Sequence, residues 1–342
     1  MSLYIVYGIL LIATGALMSG SFAIPFDRIK GWKWENYWLV YSLFGYIVVP
    51  LAVCLLTVPG FMQVFGQIPG KTLAWVFLLG IIYGAANLTF GLSLRYLGIA
   101  LGYALSLGLM MAIGTLVPPL IDGRLVKLFE SSGGILLISG IVISLIGISI
   151  SGYAGFLKSK RTGSKTDVNK EFNIRKGVAA ALFVGVAGSA AALGIEQGAP
   201  IAQVCVAGGT NPLFQDSVVF LVLYSGSFFT TLIWCLYMSF RNKTIGNFSR
   251  GKNLAVNYLC CLVAGFLWYI NYVFFGMGKS QMGEFSFVAW GILMTLTIVF
   301  ATLWGLYRGE WKGVPVHVYR LMWIGLAILV LASFLIGISS NV

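Results

Sequence analysis

The feature that most constrains this chain is a series of ten apolar runs, each near the roughly 20 residues that a helix needs to cross a membrane. The runs cover residues 3–25, 37–58, 73–94, 99–121, 134–155, 177–198, 216–239, 254–277, 286–307 and 318–338. They are continuously apolar rather than alternating, so they predict helices and exclude a transmembrane barrel. The sequence therefore predicts an all-α polytopic membrane protein of ten transmembrane helices.

Composition excludes a water-soluble domain. Of the 342 residues, 59% are apolar and only 9% are charged, against about 25% charged in an ordinary soluble domain. The net charge of +12 would suggest nucleic acid in a soluble protein. Here the basic residues fall between apolar runs, so we predict a lipid bilayer and no nucleic acid as partner. With a single histidine and scattered cysteines, we expect no metal and no cofactor.

The loops predict an orientation and a division into two halves. Of the 22 Lys and Arg residues, 18 lie in the loops that follow odd-numbered spans. The positive-inside rule then puts those loops in the cytoplasm and both termini outside. Residues 156–175 form the longest polar stretch, a basic linker after the fifth span. We predict a first five-helix repeat over 1–155, a cytoplasmic linker over 156–175 and a second five-helix repeat over 176–342.

Five spans in each half would invert the second half relative to the first, as in many secondary transporters. Residues 78–98 align with residues 263–283 at a constant offset of 185 without a gap. Three glycine pairs coincide in this overlay: Gly80 with Gly265, Gly91 with Gly276, and Gly98 with Gly283. The sequence therefore predicts two inverted repeats.

Several stretches resemble a known family. They are SFAIPF at 21–26, GWKWE at 31–35, NLTFGLSLRYLG at 87–98, GTLVPPLIDG at 114–123, LWY at 267–269 and EW at 310–311. Together they are similar to the bacterial L-rhamnose–proton symporter family, within the drug/metabolite transporter superfamily. The resemblance runs almost from end to end. It implies a ten-helix inverted-repeat fold and uptake of a deoxy-hexose sugar, driven by protons, across the bacterial inner membrane.

A sugar site needs hydroxyl and amide partners beside aromatic rings that can cover the sugar's apolar face. In the third span, Tyr83 and Asn87 are four residues apart and share a helix face. In the eighth span, Trp268 and Tyr272 share a face and Asn271 is adjacent. The repeat overlay places Tyr83 on Trp268 and Asn87 on Tyr272. We predict that these five residues bind the substrate; the alternative is that they only pack between helices.

Proton coupling needs a group that gains and loses a proton, and acidic residues are scarce here. Glu196 is followed by further apolar chain, so it lies within the membrane if the sixth span continues past residue 198. A charge at that depth costs about 2.5–3.5 kcal/mol on insertion scales, which marks such residues as functional. We predict that Glu196 carries the proton and that Gln197 contacts the sugar or relays the proton. The alternative places Glu196 at the outer interface.

Composition and spacing predict a multi-span transporter, and the resemblance implies a sugar–proton symporter, with L-rhamnose as the sugar, that works by alternating access. A transporter of another sugar or small metabolite in the same superfamily, by uptake or export, is the alternative. A membrane enzyme would need paired carboxylates or a His/Asp constellation, which the sequence lacks, so we predict no enzymatic activity. A structural scaffold remains open, although it would not need polar faces in both halves. The sequence predicts no oligomeric state.

Overall fold

The computed structural model describes residues 3–97, 99–123, 125–162, 173–251, 253–283 and 286–339. Every regular element in these ranges is helical, with no strand among them, which confirms the all-α prediction. The α-helices are α1 Leu3–Ser21, α2 Trp34–Leu43, α3 Val49–Thr57, α4 Phe61–Gln67, α5 Gly70–Leu97, α6 Ile99–Ile121, α7 Leu125–Glu130, α8 Ser132–Thr162, α9 Ile174–Gly188, α10 Ala190–Gln197, α11 Ala199–Ala207, α12 Ser217–Arg241, α13 Leu254–Lys279, α14 Val288–Tyr307 and α15 Val316–Ile338.

The helices account for nine of the ten predicted spans. Nine stretches of described residues are long and apolar enough to cross a membrane, and each coincides with a predicted span. The fourth predicted span coincides with α6, whose apolar part Leu105–Ile121 is shorter than a full span. Large apolar side chains such as Leu56 and Val186 project outward from the bundle, as lipid-facing side chains do. The chain is therefore a multi-pass membrane protein.

The second span is a composite helix. A π-helical turn, Phe44–Val48, joins α2 to α3, and Pro50 follows it at the start of α3. Proline has no N–H to donate to the preceding turn, and a wider turn is one way in which a helix absorbs this loss. The π turn sets Tyr46 fully buried at the middle of the bundle.

The sixth span is longer than predicted. It runs through α9, α10 and α11, with breaks at Ser189 and Gly198. Glu196 therefore lies in the interior of a composite helix, with the apolar helix α11 beyond it. At the other end of the predicted linker, α8 continues through residue 162, and residues 163–172 lie outside the described part of the chain.

Glycines bring two pairs of spans into backbone contact. On α5, a Cβ at Gly80 would lie 1.9 Å from the carbonyl oxygen of Leu223 on α12, and Gly226 meets α5 in the same way. On α13, a Cβ at Gly265 would lie 2.8 Å from the backbone nitrogen of Gly45 in the π turn. Small residues let membrane helices approach this closely.

One end of the bundle carries the loops rich in Lys and Arg, and we call it the basic end. There the loop 28–36 is bound to the loop residues 242–247 and to Asn257 in the first turn of α13, a contact that we call the loop clasp. The Trp32 indole donates to the Asn247 carbonyl at 2.9 Å. The Asn257 amide accepts from the Lys30 backbone N–H at 3.1 Å and donates to the Lys30 carbonyl at 2.9 Å. The clasp joins the segments after α1 and after α12.

A candidate substrate-binding site

Six aromatic side chains meet at mid-height in the bundle, and we call them the central aromatic cluster. They are Tyr41 on α2, Tyr46 in the π turn, Tyr83 on α5, Tyr224 on α12, and Trp268 and Tyr272 on α13. Each is at most 9% exposed. The closest ring centroids are 4.4 Å apart for Tyr46 and Trp268, and 4.6 Å apart for Tyr224 and Tyr272. The rings are thus in direct contact.

Three residues that the sequence predicted as substrate contacts lie in this cluster: Tyr83, Trp268 and Tyr272. Tyr224 joins them, because its ring centroid lies 6.2 Å from Tyr83 and 4.8 Å from Trp268. The two predicted helix faces on α5 and α13 are therefore brought together by a residue of α12.

The two predicted asparagines differ in where their amides point. The Asn87 amide donates to the Tyr46 hydroxyl at 2.9 Å, so it borders the central aromatic cluster. Asn271 is buried, and its amide donates to the Trp268 carbonyl one turn earlier in the same helix. The backbone carbonyl oxygen of Asn271 lies against Gly15 of α1. Asn87 is thus a neighbour of the cluster, whereas Asn271 lies on the side of α13 that packs against α1.

Sequence reasoning missed three members of the cluster, Tyr41, Tyr46 and Tyr224. Tyr46 and Tyr224 each have a serine at helical spacing, Ser42 four residues before Tyr46 and Ser227 three residues after Tyr224, which was not taken to mark a polar face. The π turn that contains Tyr46 also shifts the helical register within this span. The available signals were the spacing of these serines and the depth of each tyrosine in its span, since a hydroxyl at the centre of a membrane span needs a partner.

The cluster offers the chemistry that a sugar needs. The Tyr224 hydroxyl is fully buried near Tyr272, and it makes no well-formed hydrogen bond within the part of the chain that the structure describes. Burying a hydroxyl without a partner is unfavourable, so such a group is available to a ligand hydroxyl. The surrounding rings present flat apolar faces that suit the C–H faces of a sugar.

Comparison with known proteins adds the family. Residues 1–341 match the family described as L-rhamnose-proton symport protein (RhaT). The chain belongs to this family. An L-rhamnose-proton symporter of Yersinia pestis strain Pestoides F is 29% identical over 339 residues, which are 98% of each chain. The L-rhamnose-proton symporter of Pectobacterium atrosepticum is 28% identical over 347 residues, and both chains are covered completely.

Membership of the L-rhamnose-proton symport family confirms the resemblance seen in the sequence. It also makes the chain a membrane transporter rather than an enzyme, as predicted. Because the family is named for proton symport, buried groups that can gain and lose a proton are candidates for the coupling residue. Among the described residues, no group of three or more His, Cys, Asp or Glu side chains is placed to hold a metal ion.

Glu196 lies in a buried ionic cluster near the end of the bundle opposite the basic end. Its Oε1 is 3.3 Å from Nζ of Lys279, the last residue of α13. The same Nζ is 3.4 Å from Oδ2 of Asp216, just before α12. Gln197 ends α10 beside Glu196 and is half-buried. Glu196 therefore belongs to a largely buried ionic cluster, and the sequence did not foresee its partners.

Proposed function

We propose that this protein carries L-rhamnose together with a proton across the bacterial cytoplasmic membrane by alternating access. The observation that carries the proposal is the family match over residues 1–341, with full-length relatives named L-rhamnose-proton symporters. The coupling ion is the proton, and no cofactor takes part.

The sugar binds at the central aromatic cluster. One sugar face lies on the Trp268 and Tyr272 rings, while its hydroxyls bond to the Tyr224 hydroxyl and the Asn87 amide. Asn87 now bonds to Tyr46, so a sugar hydroxyl would replace a bond that already exists. The rings touch one another in this structure, so the site is closed and opens only when α5, α12 and α13 separate. Tyr83 lines the same site. Asn271, on the side of α13 that packs against α1, and Gln197, beside Glu196, are proposed as sugar contacts outside the aromatic cluster.

The architecture consists of ten membrane helices in two inverted five-helix repeats, over 1–155 and 176–342 with the linker 156–175 between them. In two five-span repeats, the third span corresponds to the eighth and the second span to the seventh. The contact of the third span with the seventh therefore has its counterpart in the contact of the eighth span with the second. These are the two glycine crossings, Gly80 with Gly226 and Gly265 with Gly45. Gly80 and Gly265 also coincide in the sequence overlay. The matched crossings support the repeat.

The basic end faces the cytoplasm and both termini face outside. Support comes from the 18 of 22 basic residues on that side, because Lys and Arg concentrate in cytoplasmic loops. The loop clasp then closes the cytoplasmic side, and the ionic cluster of Glu196 lies toward the outside. That position suits Glu196 as a proton-coupling residue.

The test is uptake of labelled L-rhamnose by energised membrane vesicles with and without a proton uncoupler. Accumulation that the uncoupler abolishes is expected. Tyr224→Phe removes one hydroxyl, so the apparent KM should rise about fivefold, from about 1 kcal/mol per hydrogen bond. Trp268→Ala should raise it further, whereas Trp323→Ala, at an exposed position on α15, should leave it unchanged. Folded, inserted protein that takes up another sugar or metabolite instead of L-rhamnose would refute the substrate assignment.

A further inference from the structure

The buried cluster of Glu196, Asp216 and Lys279, which we call the acid–lysine triad, has an unequal charge balance. Two carboxylates share one ammonium group, through the 3.3 and 3.4 Å contacts already described. With all three ionised the triad carries a net charge of −1, and with one proton added it is neutral. Uncompensated charge is costly in a membrane interior, so the neutral form is favoured wherever the triad is closed off from water.

Asp216 is the more deeply buried carboxylate of the triad. It is only 2% exposed, and the Lys279 ammonium is the partner of its buried Oδ2 at 3.4 Å. Two carboxylates that share a cation titrate as one unit rather than as separate acids. The Cys205 thiol on α11 also interacts with Asp216, and a thiol is uncharged at neutral pH.

Glu196 is the side of the triad that a proton can reach. Its side chain is 19% exposed, more than those of Asp216 and Lys279. It also borders a cavity of about 10 Å³ that is shared with Ser286 and Trp290. This is close to the volume that one water molecule requires. The Lys279 ammonium alone then separates a proton on Glu196 from Asp216, because it contacts both carboxylates.

Two members of the triad and three of the central aromatic cluster stand on or next to the same two helices, α12 and α13. Eight residues separate Asp216 from Tyr224, and seven separate Tyr272 from Lys279, which is about 10–12 Å at 1.5 Å per residue. Between them lies Phe220, whose ring is 5.7 Å from that of Tyr272. A Cβ on Gly276 would meet both the Phe220 ring and Asp216. A change in how tightly the triad holds α12 to α13 therefore acts directly on the aromatic cluster.

We propose that the acid–lysine triad takes up the coupling proton as one unit, with Glu196 and Asp216 sharing a single proton and Lys279 holding both. This inference rests on the proposed symport and deepens it. The carboxylate pair gains one proton when the outer side is open and loses it to the cytoplasm. When the triad carries the proton and is neutral, the protein closes around the bound sugar. When the triad is charged, closure around the bound sugar is unfavourable.

The charge balance makes a prediction that a single proton carrier does not. Glu196→Gln and Asp216→Asn each leave one carboxylate with one ammonium, a pair that is neutral without a proton. In liposomes, both variants should retain rhamnose exchange at equal pH but lose accumulation driven by a pH gradient. The matched control is Asp27→Asn, an exposed carboxylate paired with Arg308 at the basic end, which should accumulate as wild type does. Retained accumulation in Asp216→Asn would overturn the shared-proton proposal.

A second measurement does not depend on the substrate. A proton that the folded triad shares and the unfolded chain does not hold makes the stability of the folded protein fall as pH rises through the range in which that proton is lost. Thermal unfolding in detergent between pH 5 and pH 9 should show this fall in the wild type. It should be weaker in both single variants, because their neutral pair needs no proton. A slope shared by all three proteins would refute the triad, whereas a triad slope without rhamnose uptake would refute only the substrate.

Discussion

Replacing Gly80 by alanine tests whether the close crossing of α5 and α12 sets the geometry of the sugar site. The new Cβ would lie 1.9 Å from the Leu223 carbonyl oxygen, where ordinary contact begins at 3.4 Å. Backbone carbonyls of a packed helix cannot swing away, so the two helices must part by about 1.5 Å, the difference between the two distances. Tyr83 is three residues from Gly80, so the separation opens the aromatic cluster as well.

The expected cost follows from two opposing effects. Overpacking costs about 1–3 kcal/mol, and contact with backbone puts this site at the upper end. Alanine recovers about 1 kcal/mol in helix propensity over glycine. Gly91→Ala on the same helix gains only the second effect, because among the described residues no atom beyond its own stretch of helix lies within 4 Å of the added Cβ. The two variants should therefore differ by about 3 kcal/mol.

The measurement is thermal unfolding of both variants in detergent, beside rhamnose uptake. At roughly 2 °C per kcal/mol, the Tm of Gly80→Ala should lie about 6 °C below that of Gly91→Ala. Uptake should fall in Gly80→Ala at a temperature where it is still folded, and should stay normal in Gly91→Ala. Equal Tm values for the two variants would show that the crossing tolerates a side chain, and the reasoning would be wrong.

Three further variants test other contacts. Asn87→Ala removes an amide from the sugar site, so a rhamnose concentration series should show an apparent KM about fivefold higher; an unchanged KM would place the sugar elsewhere. Asn257→Leu leaves both backbone groups of Lys30 unpaired, at about 2 kcal/mol, and should lower the Tm by about 4 °C unless the loop clasp is not a stabilising contact. Lys158→Ala breaks an ion pair with Glu310 and a cation–π contact with Trp311, each worth about 1 kcal/mol or less, so uptake should match the wild type and the Tm should fall by at most about 4 °C.

The positions of the membrane helices were predictable from the sequence because lipid requires long apolar helices and tolerates no other backbone structure. Two polar-aromatic faces were also predictable, since Tyr83 with Asn87 and Trp268 with Tyr272 stand at helical spacing. Their contact with one another depends on α12, and helix-to-helix packing leaves no local pattern in one sequence.

The ionic partners of Glu196 show a different reason for failure. Asp216 begins the seventh span and Lys279 follows the eighth, on the side that holds only four of the 22 basic residues, and the pattern of its own helix marks neither residue as functional. The cluster forms between three elements that are far apart in the chain. A signal was available, because charges on that side are few and all three residues stand near span ends on it.

The π turn at Phe44–Val48 has a consequence for how this protein tolerates changes of length. A π turn is equivalent to one extra residue in an α-helix, so α2 and α3 do not share one helical wheel. Removing one residue there would restore a regular helix and rotate α2 against α3 by about 100°. Tyr41 and Tyr46, whose rings are now 5.9 Å apart, would then face different neighbours. Within this span, a substitution changes one contact, whereas a single deletion would change the whole angular register on one side of it.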